Sequence, residues 1–238
     1  MTIATGGASV YGAAVGILML EAQFPRVPGD MGNATTWPVP VHYRVVPGAT
    51  PARVVKEGAP GLLNAFVEAG EELIGMGVRG IATNCGFLSL FQEDLRAALG
   101  VPVASSSLMQ VPAVQALLPP GRRVGVLTIS AATLTTAHLA AAGVPHDTPV
   151  DGTDHGEEFS DAILGDRLTL DTEASRRDVI AAARRLVARH PEIGALVLEC
   201  TNMCPYSADI AEDLEMPVYS VYDFLVWFQG GLAPRRFL

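Results

Sequence analysis

Short apolar runs bounded by Gly, Pro or polar turns alternate along the chain with longer Ala- and Leu-rich amphipathic stretches. Strands of a parallel sheet are covered on both faces and read as continuous apolar runs, whereas crossover helices show a 3.6-residue period. The pattern predicts strands at 13–20, 80–83, 102–105, 123–129, 195–198 and 217–220. It predicts helices at 61–76, 92–99, 132–142, 175–189 and 207–214, with Gly77, Gly100 and Gly143 as C-terminal stops. Residues 22–50 are rich in Pro and Gly and lack a regular period, so they read as a long connection of the functional kind.

The pattern repeats. A shift of 115 residues superposes Cys85 on Cys200, Asp94 on Asp209, Leu99 on Leu214, Pro102-Val103 on Pro217-Val218 and Ser105 on Ser220. A shift of 109 aligns Val15-Gly16-Ile17-Leu18 with Val124-Gly125-Val126-Leu127. Each half then runs strand, long connection, strand ending in Cys, helix, strand. Pro119-Pro120-Gly121 marks a turn-rich boundary between a first half, 1–118, and a second, 119–238, whose C-terminal segment is free to pack back on the first. The fold class expected is α/β, two pseudo-symmetric, doubly wound parallel-sheet halves. Ligands collect beyond the carboxyl ends of such strands, where both cysteines sit, so the thiols are expected to face each other across one water-accessible cleft between the halves.

Composition narrows the function. A chain of 238 residues buries a core without disulfide or metal staples. With 16 basic against 25 acidic residues and no basic run beyond short pairs, a nucleic-acid or anionic-membrane surface is excluded as an expectation. The apolar stretch 11–20 is too short to span a bilayer. Three cysteines, and no leader pattern at the start, point to a reducing, cytoplasmic setting.

Cys85 and Cys200 each stand at a strand-to-helix corner. Free backbone N–H groups and a helix dipole there favour a thiolate and also suit a substrate carboxylate. A planar carbanion between one thiolate and one thiol loses a proton to one side and regains it from the other, which inverts a stereocentre without a metal or pyridoxal group. Cys204 lies outside the repeat and reads as dispensable. In the 22–50 connection Arg26 suits a substrate carboxylate, and Asp30 and Asn33 suit a polar or cationic group, with Tyr43 and Arg44 as similar candidates. Ser106, in Ser105-Ser106-Ser107, ends a strand at the same sheet edge. Asp154, His155, Glu157 and Glu158 read as a helix N-terminus, and no metal site is expected.

The two cysteines, with Cys200-Thr201 as a Cys-Thr dipeptide, resemble those of the aspartate/glutamate racemase superfamily. The segments from Phe24 to Asn33, Thr83 to Phe87 and Glu199 to Ser207 resemble one branch of it more closely. That branch holds bacterial racemase-like proteins and the algal dimethylsulfoniopropionate lyases. The resemblance implies a flavodoxin-like fold for each half, an active site between the halves, a homo-oligomer (dimer or tetramer) and no cofactor. It also implies Cys85 and Cys200 as the acid/base pair, with Thr201 and the N–H groups of Gly86 and Thr201 holding a carboxylate. Asn84, Phe87 and Asn202 complete the expected substrate-binding set. Gly86-Phe87 and Asn202 replace the Asn-Thr and His that amino-acid racemases of the superfamily commonly carry, which points away from aspartate or glutamate as substrate.

The expected activity is racemisation or epimerisation of a small carboxylate-bearing substrate. The alternatives are a lyase using the same base for β-elimination and a non-catalytic carboxylate-binding protein.

Overall fold

β1 (Val15–Leu20) is buried at every position, as a strand covered on both faces must be. The structure, a computed structural model, describes residues 6–7 and 10–237. The reading of the chain's start as leaderless falls largely outside them.

β1 lies between β2 (Val41–Val46) and β3 (Gly80–Thr83), and β4 (Val103–Ala104) completes a four-stranded parallel sheet in the order β2-β1-β3-β4. Helices α1 (Pro51–Val55), α2 (Leu63–Gly75), α3 (Gln92–Leu99) and α4 (Val111–Leu117) belong to this part of the chain. The second part repeats the plan with β5 (Arg123–Thr128), α5 (Thr136–Ala141), β6 (Val150–Gly152), α6 (Phe159–Leu164), α7 (Thr172–Arg189), β7 (Ile193–Leu198), α8 (Ser207–Leu214) and β8 (Val218–Tyr219). Its parallel order, β6-β5-β7-β8, is that of the first sheet. Both follow the flavodoxin-like order, in which the chain reverses direction beside the first strand.

The repeated glycines have a packing cause. A Cβ on Gly16 would meet Leu73 of α2 at 3.0 Å, and one on Gly125 would meet Ile193 at 2.7 Å and Leu186 of α7 at 3.3 Å. In each sheet the first strand thus carries a glycine where a leucine of the crossover helix presses against it.

α9 (Val221–Leu232) returns to the first sheet. Its Val221, Phe224 and Leu225 share a core cluster with Val15, Ile17, Met19, Ala82 and Ala104, and Tyr222 stacks on Trp37 at 5.9 Å.

Two expectations are corrected and a third is refined. The 22–50 connection contains β2 and the buried residues Phe24, Asp30 and Met31, so it is a structured part of the first sheet. The acidic group at 154–158 stands at the N-terminus of α6, as expected, with Glu158 in the N-cap position but no side-chain cap. Asp178 of α7 accepts the N–H groups of Glu157, Glu158 and Phe159, while Asp154 is bound to Ser130 and Ala131. α7 begins at Thr172, three residues earlier than predicted, because the Asp171 side chain accepts the N–H groups of Glu173 and Ala174. Among the described residues no helix is long and apolar enough to cross a membrane.

Candidate active site

β3 and β7 end at neighbouring places, and each passes through a cysteine into a 3-10 turn, Gly86–Phe91 after Cys85 and Thr201–Tyr206 after Cys200. The two corners are tied across the halves. The Thr201 hydroxyl donates to the Asn84 carbonyl at 2.6 Å, and the Ser107 hydroxyl donates to the Leu198 carbonyl at 2.5 Å.

Between the corners lies one cavity of about 20 Å³, room for about one water. Asn84, Cys85, Gly86 and Phe87 line it from the first corner, and Glu199, Cys200, Thr201 and Asn202 from the second. Arg26, Leu20, Phe24, Pro51, Val55, Ile129, Ile163 and Leu164 close it. Both cysteines are buried, at 9% and 6% exposure, where the sequence predicts a water-accessible cleft.

The remaining predicted residues divide. Asp30 joins the site indirectly, accepting from Arg26 Nη1 at 2.9 Å and from Asn202 Nδ2 at 2.5 Å, while Cys200 Sγ donates to Asn202 Oδ1 at 3.7 Å. Arg26, Asp30, Asn202 and Cys200 thus form one polar chain across the two halves. Asn33 and Ser106 lie outside the cavity lining. Asn33 caps the turn Ala34–Thr36 and donates to the Arg26 carbonyl, and Ser106 caps the turn Ser107–Gln110. Tyr43 bonds the Met31 carbonyl, and Arg44 pairs with Glu72 on the surface. Cys204 donates to Ser220 away from the cavity. Among the described residues no group of three or more His, Cys, Asp or Glu side chains is arranged to hold a metal ion.

The electrostatics reverse one expectation. Burial, and then the Glu199 carboxylate, push the Cys85 thiol well above its ordinary range, and the same two causes raise Cys200. Backbone hydrogen bonds from Phe87 and Leu88 to Cys85, and from Asn202 to Cys200, oppose this and lose. The magnitudes explain why. Full burial moves a pKa by up to about 3 to 5 pH units, while a helix terminus contributes about 0.3–1 kcal/mol, under one unit. Both thiols are therefore neutral at rest.

Glu199 is the residue that the sequence reading passed over. It is fully buried, its Oε2 accepts from the Thr128 hydroxyl at 2.6 Å, and burial raises its carboxyl to about 7 despite that bond. The 115-residue shift places it on Asn84, so an acid replaces an amide at a buried strand end; that substitution was the available signal.

Known proteins share this architecture. A glycine-to-cysteine mutant of arylmalonate decarboxylase in its sulfate-associated form superposes with a TM-score of 0.63 at 17% identity, covering 92% of each chain. Glutamate racemase isoform RacE1 from Bacillus anthracis gives 0.57 at 16% identity, over 94% of this chain and 85% of that one. A dimethylsulfoniopropionate lyase from Durusdinium sp. clade D is 30% identical over 230 residues, 93% of this chain and 75% of its own length. Dimethylsulfoniopropionate lyase 7 of Emiliania huxleyi is 28% identical, and the chain spans 63% of its length. The sequence model of the Asp/Glu/Hydantoin racemase family matches residues 56–228, well over half of the molecule and including both cysteine corners, and the chain belongs to that family.

Proposed function

We propose that the protein is a cofactor-independent racemase or epimerase acting at the carbon next to a carboxylate, with Cys85 and Cys200 as the acid/base pair. The observation that carries this reading is that two repeat-related cysteines, one from each half, line a single cavity. One sulfur, as thiolate, removes the α-proton; the electron pair left on carbon spreads into the carboxylate. The other sulfur gives its proton to the opposite face, so the stereocentre inverts and the two thiols exchange protonation states.

Arg26, held by Asp30 at 2.9 Å, is placed to pair with the substrate carboxylate. The N–H groups of Gly86 and Thr201 open their 3-10 turns, where backbone donors have no partner within the turn, and suit the developing charge. The Thr201 hydroxyl is already bonded to Asn84, so its part in this reading is structural. A carboxylate substrate is larger than the closed cavity, so the walls formed by Phe24, Pro51, Val55 and α6 must part to admit it.

A second reading is favoured by the 30% identity to a dimethylsulfoniopropionate lyase. The same α-proton is removed, the β-carbon–sulfur bond breaks, dimethyl sulfide leaves and acrylate remains. One thiolate suffices as base.

Incubation in deuterated water with chiral amino acids, hydantoins and dimethylsulfoniopropionate, followed by NMR, separates these readings. Deuterium entering with inversion supports the first, and alkene release without inversion supports the second. Neither exchange nor alkene release on any of these substrates would contradict both.

A further inference from the structure

Glu199 is a fully buried acid with one carboxyl oxygen satisfied and the other not. Oε2 accepts from Thr128, while Oε1 has no hydrogen-bond partner. An orphaned buried oxygen is uncommon and calls for a cause. Its position supplies one. Glu199 precedes Cys200 in the chain, and its side chain reaches across to the opposite corner. A Cβ on Gly86 would lie 2.6 Å from the Glu199 carbonyl oxygen and would overlap its carboxylate, so only glycine after Cys85 leaves room for it. The carboxyl therefore borders both cysteines and the cavity between them.

We propose that Glu199 is the positioning residue for the thiol pair, accepting a thiol proton on Oε1 to release a thiolate and returning it after turnover. This rests on the assignment of Cys85 and Cys200 as the acid/base pair. The S–H bond breaks, an O–H bond forms on Oε1, and the negative charge moves from carboxylate to sulfur. The thiolate then takes the substrate proton, which restores S–H. Because both thiols border the same carboxyl, it can return a proton to whichever sulfur ends the cycle as thiolate.

Thr128 plays the orienting part that a third group plays in other activated nucleophiles. The groups facing Glu199 are consistent with a single shared anion. Cys85 comes from the first corner and Cys200 from its own. Arg26 and Asp30 come from the 22–50 segment, already paired with each other, and α1 and α6 contribute only apolar walls. Burial raises the carboxyl to about 7, and the same burial raises both thiols.

The test needs no substrate. Labelling of each cysteine by iodoacetamide, resolved by peptide mass spectrometry, is followed across about pH 5 to 10, a span that brackets the carboxyl and free-thiol values. With a shared anion, the wild-type rate climbs about tenfold per pH unit until the carboxyl ionises and then levels near pH 7. In Glu199→Gln, which keeps shape and the Thr128 bond, the rate keeps climbing with no break.

Thr128→Val removes a bond that lowers the Glu199 carboxyl, so the break moves to higher pH. If Glu199→Gln fails to fold, as judged by circular dichroism, this shift decides the matter. A wild-type profile without a break, or a break unchanged in either variant, overturns the proposal. A break that behaves as predicted in a protein that turns over none of the carboxylate substrates upholds this inference and removes the proposed function. An unchanged break with normal turnover does the reverse.

Discussion

The two cysteine corners occupy equivalent places in equivalent sheets, yet their flanks differ in charge. At the first, Asn84 donates its N–H to the Leu18 carbonyl and accepts the Leu20 N–H on its side chain at 2.7 Å, so a neutral amide closes the strand end within its own half. At the second, Glu199 donates its N–H to the Leu127 carbonyl in the same way, but its side chain is an acid that borders both thiols. Burial and Glu199 oppose ionisation of both thiols, but Arg26 eases it at Cys85, whereas Cys85 and Asp30 add to the opposition at Cys200. Pseudo-symmetry sets where the sulfurs sit, and the residue before each cysteine sets the charge around it.

The comparison is broken most severely by removing either sulfur. Cys85→Ser and Cys200→Ser should each lower inversion by at least about 10³-fold, since each removes a general acid/base from one face of the substrate. Circular dichroism checks that the fold survives, and chiral chromatography of product reads the loss.

A smaller effect, on stability, isolates the acid at the second corner. The Glu199 carboxyl rises from 4.5 to about 7 on folding, so between those values the folded protein holds more protons than the unfolded one. Stability then falls as pH rises through that window, by about 3 kcal/mol, and the penalty is complete above it. Glu199→Gln lacks this group, so its melting temperature relative to wild type should be higher above pH 7 than below pH 5. Parallel melting curves at both ends of the window would contradict the burial assigned to this carboxyl.

Arg26→Lys should raise KM about tenfold with little change in kcat, because Lys keeps the charge and loses the two-pronged geometry. Steady-state kinetics on whichever carboxylate is turned over provides the check. The smallest effect belongs to Cys204→Ala. Cys204 sits outside the cavity lining and bonds Ser220, so turnover should stay within about twofold of wild type, a difference under ~0.5 kcal/mol.

Much of this was legible from the pattern of residues. β3, α3 and α8 fall at the predicted positions because Gly, Pro and polar turns bound them sharply. β2 escaped because an edge strand has one neighbour, and Val41–Val46 is half exposed and carries His42 and Arg44 among its apolar residues. α4 begins with Pro112 in its first turn, and α1 and α6 run five and six residues, too short for a helical period to show. α9 ends in Gly230-Gly231-Leu232 and carries the exposed apolar residues Val226 and Trp227 beside its packed stripe of Val221, Phe224, Leu225, Phe228 and Leu232, which blurs the helical period.

At the site, the repeat located both thiols and their flanks. The connection supplied Arg26 and Asp30, but Asn33 and Ser106 serve turns. The direction of the thiol shift was not legible, because it depends on how completely Phe24, Val55, Ile163 and their neighbours exclude water, which is a tertiary property.

The central claim is that the two thiols act from opposite faces of one substrate carbon. The most direct measurement is α-proton exchange in deuterated water by Cys85→Ser and Cys200→Ser, with each enantiomer of a turned-over substrate presented separately. Each variant should exchange the proton of one enantiomer only, with opposite preferences, because the surviving thiolate reaches a single face. Exchange of both enantiomers by one variant and neither by the other would contradict the claim and assign the base to a single cysteine.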